Sequence, residues 1–163
     1  PFINADGYHS KTIAYSIWHI FRIEDIVAHT VITEDEQVFF TGNYQVRINS
    51  PIITTGNELV KQQIADFSKQ LNLEELYSYI FEVRESTEKI LERFSYDELK
   101  WKIPDERKGY LKSLNVVNCD EKAIWLIDYW CSKDIRGLIQ MPFSRHWIMH
   151  TEACLRIKNK MHS

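Results

Sequence analysis

The sequence predicts an all-α chain, a four-helix bundle with one long crossover connection. Several stretches repeat apolar residues at three- and four-residue spacing, residues able to cap helices stand ahead of them, and no stretch alternates strongly enough to build a sheet. At 163 residues the chain can bury one sizeable core but not two comfortable ones, so residues 1–163 are expected to form a single domain. A hydrophobic fraction of 44% excludes a disordered chain.

Ile13, Ile17, Ile20, Ile23, Ile26 and Val27 form one apolar stripe, which predicts an amphipathic helix from Ser10, its N-cap, to about Ile32. His19 stands one position off that stripe, near its buried side. Residues 34 to 56 place Gly42, Asn43, Asn49, Ser50, Pro51 and Gly56 among short apolar pieces and read as a long irregular connection. Connections of this length usually cross a bundle or cover a site. Thr55-Gly56-Asn57-Glu58 fits a capping box that opens a short helix to about Lys69.

Asn72, with Glu75 at the third position, caps a long helix through Leu76, Ile80, Val83, Thr87, Ile90, Leu91 and Phe94. Ser95 to Leu99 begins a further turn that Pro104 breaks, and a Lys-rich stretch expected to be exposed follows. Asn118-Cys119-Asp120-Glu121 caps a helix holding Ile124, Trp125, Ile127, Asp128 and Trp130. Gly137 ends that helix or the turn after it, and Pro142 marks the next start. The last helix, about 143 to 160, finishes in Arg156, Lys158 and Lys160, cations that suit a helix C-terminus.

Charge and cysteine usage narrow the partners. A net charge of −3 without a long basic run gives no electrostatic footprint for nucleic acid. Cys119, Cys131 and Cys154 lack any CxxC spacing, which argues against a disulfide framework and for a reducing cytoplasm. No apolar run reaches the roughly 18 residues of a membrane span, because Arg22, Glu24 and Asp25 interrupt the best one. Nor is there a secretory signal.

The chemistry concentrates in histidines. His146 and His150, in Arg145-His146-Trp147-Ile148-Met149-His150, are four apart on a helix and project from one face about one turn apart, so both can reach a single metal ion. Such a pair alone is more often two unrelated core or surface residues, and a site needs a third ligand. His19, inside another apolar helix, is the best candidate. A trio of imidazoles would suit zinc, nickel, copper or iron and leave positions open for water or substrate. No glutamate follows His146, so the HEXXH peptidase pattern is missing.

The remaining polar residues are read more plainly, and none is assigned a catalytic role. His9 and His162 fall in terminal segments, and His29 lies about 15 Å along the helix from His19, too far for one site. Glu24 and Asp25 could move protons or orient an imidazole, but are expected to pair with Arg22 and Arg145. Glu152 points to a different face from His150. Trp18, Trp125, Trp130 and Trp147 are expected in the core rather than around a pocket, and Cys154 as an inert buried thiol.

Taken together, several segments resemble the DinB/YfiT-like superfamily: Ser16-Ile17-Trp18-His19-Ile20-Phe21-Arg22-Ile23-Glu24-Asp25, Asp128-Tyr129-Trp130, Gly137-Leu138 followed by Met141-Pro142, and Arg145 to His150 with Glu152. The likeness covers most of the chain in order. It implies a four-helix bundle holding a divalent metal, zinc or nickel being the expected ions, on His19, His146 and His150. It also implies a thiol-dependent S-transferase or a related small-molecule transferase or hydrolase, acting on a small thiol and an electrophile, and a homodimer. The alternative is a non-catalytic metal-binding or dimeric stress-response protein. One departure stands out: the family has a helix before the segment matching Ser10 to Ile32. The chain, which begins Pro1-Phe2-Ile3, is expected to lack that helix through truncation, or to replace it with residues 57 to 69 or 120 to 134.

Overall fold

The computed structural model describes residues 10–161, and among them the regular structure is helical, with a single isolated bridge between Lys102 and Asp134. Helix α1 (Ile13–Asp25) starts at Thr12, whose Oγ1 accepts the Tyr15 N–H at 3.0 Å. Ser10, the expected cap, has a left-handed backbone with φ 57°, whereas Thr12 is extended, as an N-cap requires. From Ile26 the helix widens into a π-helix to Thr33, and Glu34 ends it with φ 61° and its N–H on the His29 carbonyl.

Helix α1 is buried on nearly every side, not along one stripe. Trp18 and Ile26 are fully enclosed, and it is Ile13 and Ile17 of the expected stripe that stay partly exposed. Other elements surround this helix, so its polar residues Ser16, His19, Arg22, Glu24 and Asp25 are buried too. Each must then find a partner within the protein, because an unpaired buried polar group costs free energy.

The long connection partly supplies those partners. It contains two single-turn helices that its irregular composition did not predict, α2 (Val38–Thr41) and α3 (Tyr44–Arg47). Asp25 accepts the first amides of α2, from Val38 at 2.9 Å and Phe39 at 2.8 Å, together with the Tyr79 hydroxyl at 2.8 Å. Further on, the connection runs along α1. Arg22 donates Nε and Nη2 to the Ile53 carbonyl at 3.0 and 2.7 Å, His19 Nδ1 meets the Thr55 carbonyl at 2.6 Å, and Tyr15 donates to the Gly56 carbonyl at 2.9 Å. Numbers fall along the connection as they rise along the helix, so the two run antiparallel. Gly56 is required here: its φ is 76°, and a Cβ would sit 2.8 Å from the Trp18 ring.

Pinned in this way, the Thr55–Glu58 run does not wind into the expected helix. Helix α4 (Gln62–Gln70) begins only after Lys61, at φ 45°. Helix α5 (Leu73–Leu91) starts as its sequence predicts, with the Asn72 side chain accepting the Glu74 and Glu75 amides at 3.1 and 3.3 Å. After a 3₁₀ turn at Glu98–Lys100, the stretch expected to be exposed forms α6 (Arg107–Ser113) and buries Leu111, Val116 and Val117. Lysines there flank apolar anchors rather than replacing them. Helix α7 (Glu121–Cys131) is capped by Asp120 through the Lys122 amide at 2.9 Å. Gly137 lies inside α8 (Ile135–Gln140), because Asp134 opens a new turn by accepting the Gly137 amide at 2.7 Å. Helix α9 (Arg145–Met161) closes the described chain.

The apolar side chains gather in two clusters that share α1. One joins Ile23, Ile26 and Val31 to Leu111, Ile127, Trp130 and Leu138, and the other joins Tyr15, Trp18 and Phe21 to Phe67, Tyr79 and Val83. Helix α9 packs on α1, which sets the distance between their histidines. Among the described residues no helix is long and apolar enough to cross a membrane. The three cysteines are free: Cys119 exposed, Cys131 buried and Cys154 half-buried. His9 and His162 lie outside the described residues.

Candidate metal centre

Helix α1 contributes His19 and helix α9 contributes His146 and His150, all three buried. One ring nitrogen from each lies within 4.8 Å of the other two, and among the described residues no cysteine or carboxylate joins them. Nε2 of His146 is 3.2 Å from Nε2 of His19. Two nitrogens bound tetrahedrally to one zinc, at roughly 2.0–2.1 Å each, stand about 3.3 Å apart, so this edge already has the spacing of a shared ion. The ring centroids of His19 lie 5.0 Å from His146 and 4.8 Å from His150, and those of the pair 4.5 Å apart.

The tautomer of His19 follows from its partner. A carbonyl can only accept, so the 2.6 Å contact with Thr55 puts the proton on Nδ1 and leaves the Nε2 lone pair facing His146. Tyr15 stacks on the same imidazole, ring centroids 5.4 Å apart and planes 11° from parallel, which fixes its rotation. Nδ1 of His146 and Nδ1 of His150 are buried without a hydrogen-bond partner. Neutral imidazoles that bring one ring nitrogen each within 4.8 Å of one another fit a borderline cation such as zinc or nickel.

Electrostatics keeps the trio in its ligating form. Burial holds His19 well below the ordinary histidine range, and facing His146 and His150 adds to this against the opposing bond to Thr55. Burial lowers His146 to about 4, with Lys11 assisting. His150 falls to about 3 through burial, then through His146 and Lys11. All three rings are therefore neutral at neutral pH, the state in which imidazole binds a metal.

The histidines form one wall of a cavity of about 330 Å³. Trp125, Tyr129, Trp130, Met141, Pro142 and Met149 supply apolar surface, and Lys11 and Asn57 supply polar ends. Trp125 and Met149 are 49% and 60% exposed, which places them where the cavity meets the surface. Lys11 is half-buried, and burial lowers its ammonium pKa although Cys154 nearby raises it. Sequence reasoning missed Lys11, Asn57 and the Thr55 carbonyl. The last is invisible in principle, because it depends on a backbone atom 36 residues from the ring it orients.

Several expected roles change. Trp125 and Trp130 line the cavity, Trp130 while also filling the core, and Trp18 is core alone. Trp147 instead donates Nε1 to Glu24 at 2.9 Å. Glu24 is buried and its carboxyl is pushed up to about 7 by that burial, partly offset by Arg84 and Trp147. Its cationic neighbour is Arg84 at 3.6 Å, while Arg145, the expected partner, is exposed. Asp25 does pair with Arg22, at 3.6 Å. Neither carboxylate lines the cavity. Glu152 binds Arg156 on the surface.

A fourth histidine makes a different cluster. His29 Nδ1 is 2.6 Å from Asp35 Oδ1 and its Nε2 is 2.9 Å from Ser86 Oγ, the connectivity of a hydrolase triad. Ser86, however, lies in the middle of α5, whose amides are committed to the helix and offer no paired N–H groups to an oxyanion. The cluster instead ties the π-helical segment to α5. In comparisons with known proteins, the chain matches no family model, no curated protein and no solved structure.

Proposed function

We propose that this chain is a divalent-metal-dependent enzyme of the DinB/YfiT-like kind, a thiol-dependent S-transferase or related small-molecule transferase. The observation that carries the reading is the convergence of three buried, neutral histidines from two helices onto one wall of a cavity. On this reading α1, α5, α7 and α9 are the four bundle helices and residues 34 to 61 the crossover.

His19, His146 and His150 would hold the ion. A bound zinc or nickel supplies Lewis acidity, which keeps a substrate thiol in its nucleophilic thiolate form at neutral pH. The chain's own contribution is placement. Thr55 and Tyr15 fix the His19 ring, and the walls formed by Trp125, Trp130 and Met149 hold an electrophile and keep water from it. Transfer then forms one sulfur–carbon bond while the leaving group departs with its electron pair. A closed four-ligand shell would favour a purely structural ion, and three ligands beside a cavity favour catalysis.

The test is elemental analysis of the wild type, purified without chelator and supplied with zinc or nickel, beside His150→Ala. One ion per chain in the wild type and a large loss in the variant are expected. A wild type without stoichiometric metal overturns the proposal. A screen of small thiols with a chlorinated aromatic electrophile then assigns the reaction.

A further inference from the structure

We infer that the cavity beside the histidines binds an organic carboxylate with an aromatic or hydrocarbon body, and that Lys11 is the specificity residue that meets its charge. This rests on the proposed metal site for its full charge, but its core evidence is the cavity itself.

The described residues around this space carry no compensating negative charge. Lys11 lines it together with three neutral imidazoles, and neither an aspartate nor a glutamate is among the lining residues. Among the described residues Lys11 has no ion-pair or hydrogen-bond partner, although it is half-buried. Several other cations among the described residues instead meet a carboxylate directly. Lys89 sits 2.7 Å from Glu85, Lys108 2.7 Å from Asp128 and Arg47 2.7 Å from Glu75. A partly desolvated ammonium without a counter-ion among the described residues is a place for one to arrive. With a divalent ion on the histidines the wall would carry about three positive charges and no negative one.

The rest of the lining defines the body of the ligand. Trp125, Trp130, Tyr129 and Met149 present rings and a thioether, surfaces that suit a flat apolar group better than a hydrated ion. Phosphate or chloride would satisfy Lys11 but leave this surface without a contact. Asn57 adds one polar feature, since its Oδ1 is buried without a hydrogen-bond partner and can accept from an N–H or O–H of the ligand.

The probes are 3-phenylpropionate and its uncharged amide, titrated calorimetrically into metal-free protein and into protein loaded with zinc, alongside inorganic phosphate. The carboxylate should bind at least about tenfold more tightly than the amide in the metal-free protein, and phosphate should bind more weakly still. Lys11→Met should lower carboxylate affinity about tenfold while leaving amide affinity and zinc stoichiometry unchanged. Equal binding of carboxylate and amide overturns the inference even if the variant fails to fold, and so does tighter binding of phosphate. A folded Lys11→Met protein with unchanged carboxylate affinity also overturns it. Failure of the metal proposal would show separately, as absent zinc in the loaded protein, and leaves the metal-free comparison intact.

Discussion

His19 donates its Nδ1 proton to the carbonyl of Thr55 at 2.6 Å, so a backbone atom from the long connection sets which nitrogen of a helix α1 histidine faces helix α9. The centre is thus assembled from three parts of the chain, two carrying ligands and one carrying the orienting acceptor. Partners of this kind tune ligand basicity and direction, and losing one typically weakens metal binding about 10–100-fold.

Gly56→Ala tests that arrangement without touching a ligand. A methyl group at φ 76° meets Trp18 at 2.8 Å and Tyr15 at 3.2 Å, so the connection must lift from α1. The variant should lose about 1–3 kcal/mol of stability, read by denaturant titration, and should bind zinc more weakly than the wild type.

The metal-free protein should lose stability on mild acidification. His146 and His150 titrate at about 4 and about 3 in the folded chain and near 6.5 when unfolded, so between those values the unfolded chain holds more protons. Their contribution is therefore complete above pH 6.5 and declines as pH falls toward 3. Chemical denaturation across this range, at fixed ionic strength, measures it.

Glu24 acts with the opposite sign. Its folded pKa of about 7 lies above the unfolded value of 4.5, so the native state holds the extra proton and stability declines as pH rises through that window. Glu24→Gln removes this opposing contribution. Its stability should climb more steeply with pH between 4.5 and 7 than that of the wild type in the same titration.

Ser86→Ala should be a stability variant and not an activity variant. It leaves the His29 Nε2 without its 2.9 Å partner, which should cost about 1 kcal/mol. The wild type should neither hydrolyse activated esters in a Ser86-dependent way nor be labelled there by a fluorophosphonate, as mass spectrometry would detect.

Asp25→Ala should be among the most destabilising single changes in the chain. It strands the fully buried Arg22 guanidinium and frees the amides of Val38 and Phe39 and the hydroxyl of Tyr79. Breaking a buried pair of this kind costs about 3–5 kcal/mol, which for a chain of this size lowers the thermal midpoint by roughly 6–20 °C.

What the sequence made legible was local. The caps at Asn72 and Asp120 could be read because the acceptor and the amides it serves are two or three residues apart. The histidine pair could be read because helical spacing fixes its geometry, and His19 because it stands near an apolar stripe. Long-range effects were hidden. Helix α1 looked amphipathic, yet the packing around it buries Arg22, Glu24 and Asp25 as well as Ile20 and Ile23. The Thr55–Glu58 motif had the letters of a capping box, but its backbone was needed against α1 instead. Leu111, Val116 and Val117 were masked by the lysines around them. Lys11 could not be linked to the histidines before α1 and α9 were laid side by side.

On the proposed metal-binding reading, the antiparallel pegging of the connection to α1 makes ion binding and loop closure thermodynamically reciprocal. Whatever strengthens the His19–Thr55 contact tightens the grip on the ion, and the ion must strengthen that contact by the same free energy. Residues 53 to 57 thereby become a remote reporter of occupancy. Their exchange and protease sensitivity should fall on loading, although only a single carbonyl among them touches a ligating side chain.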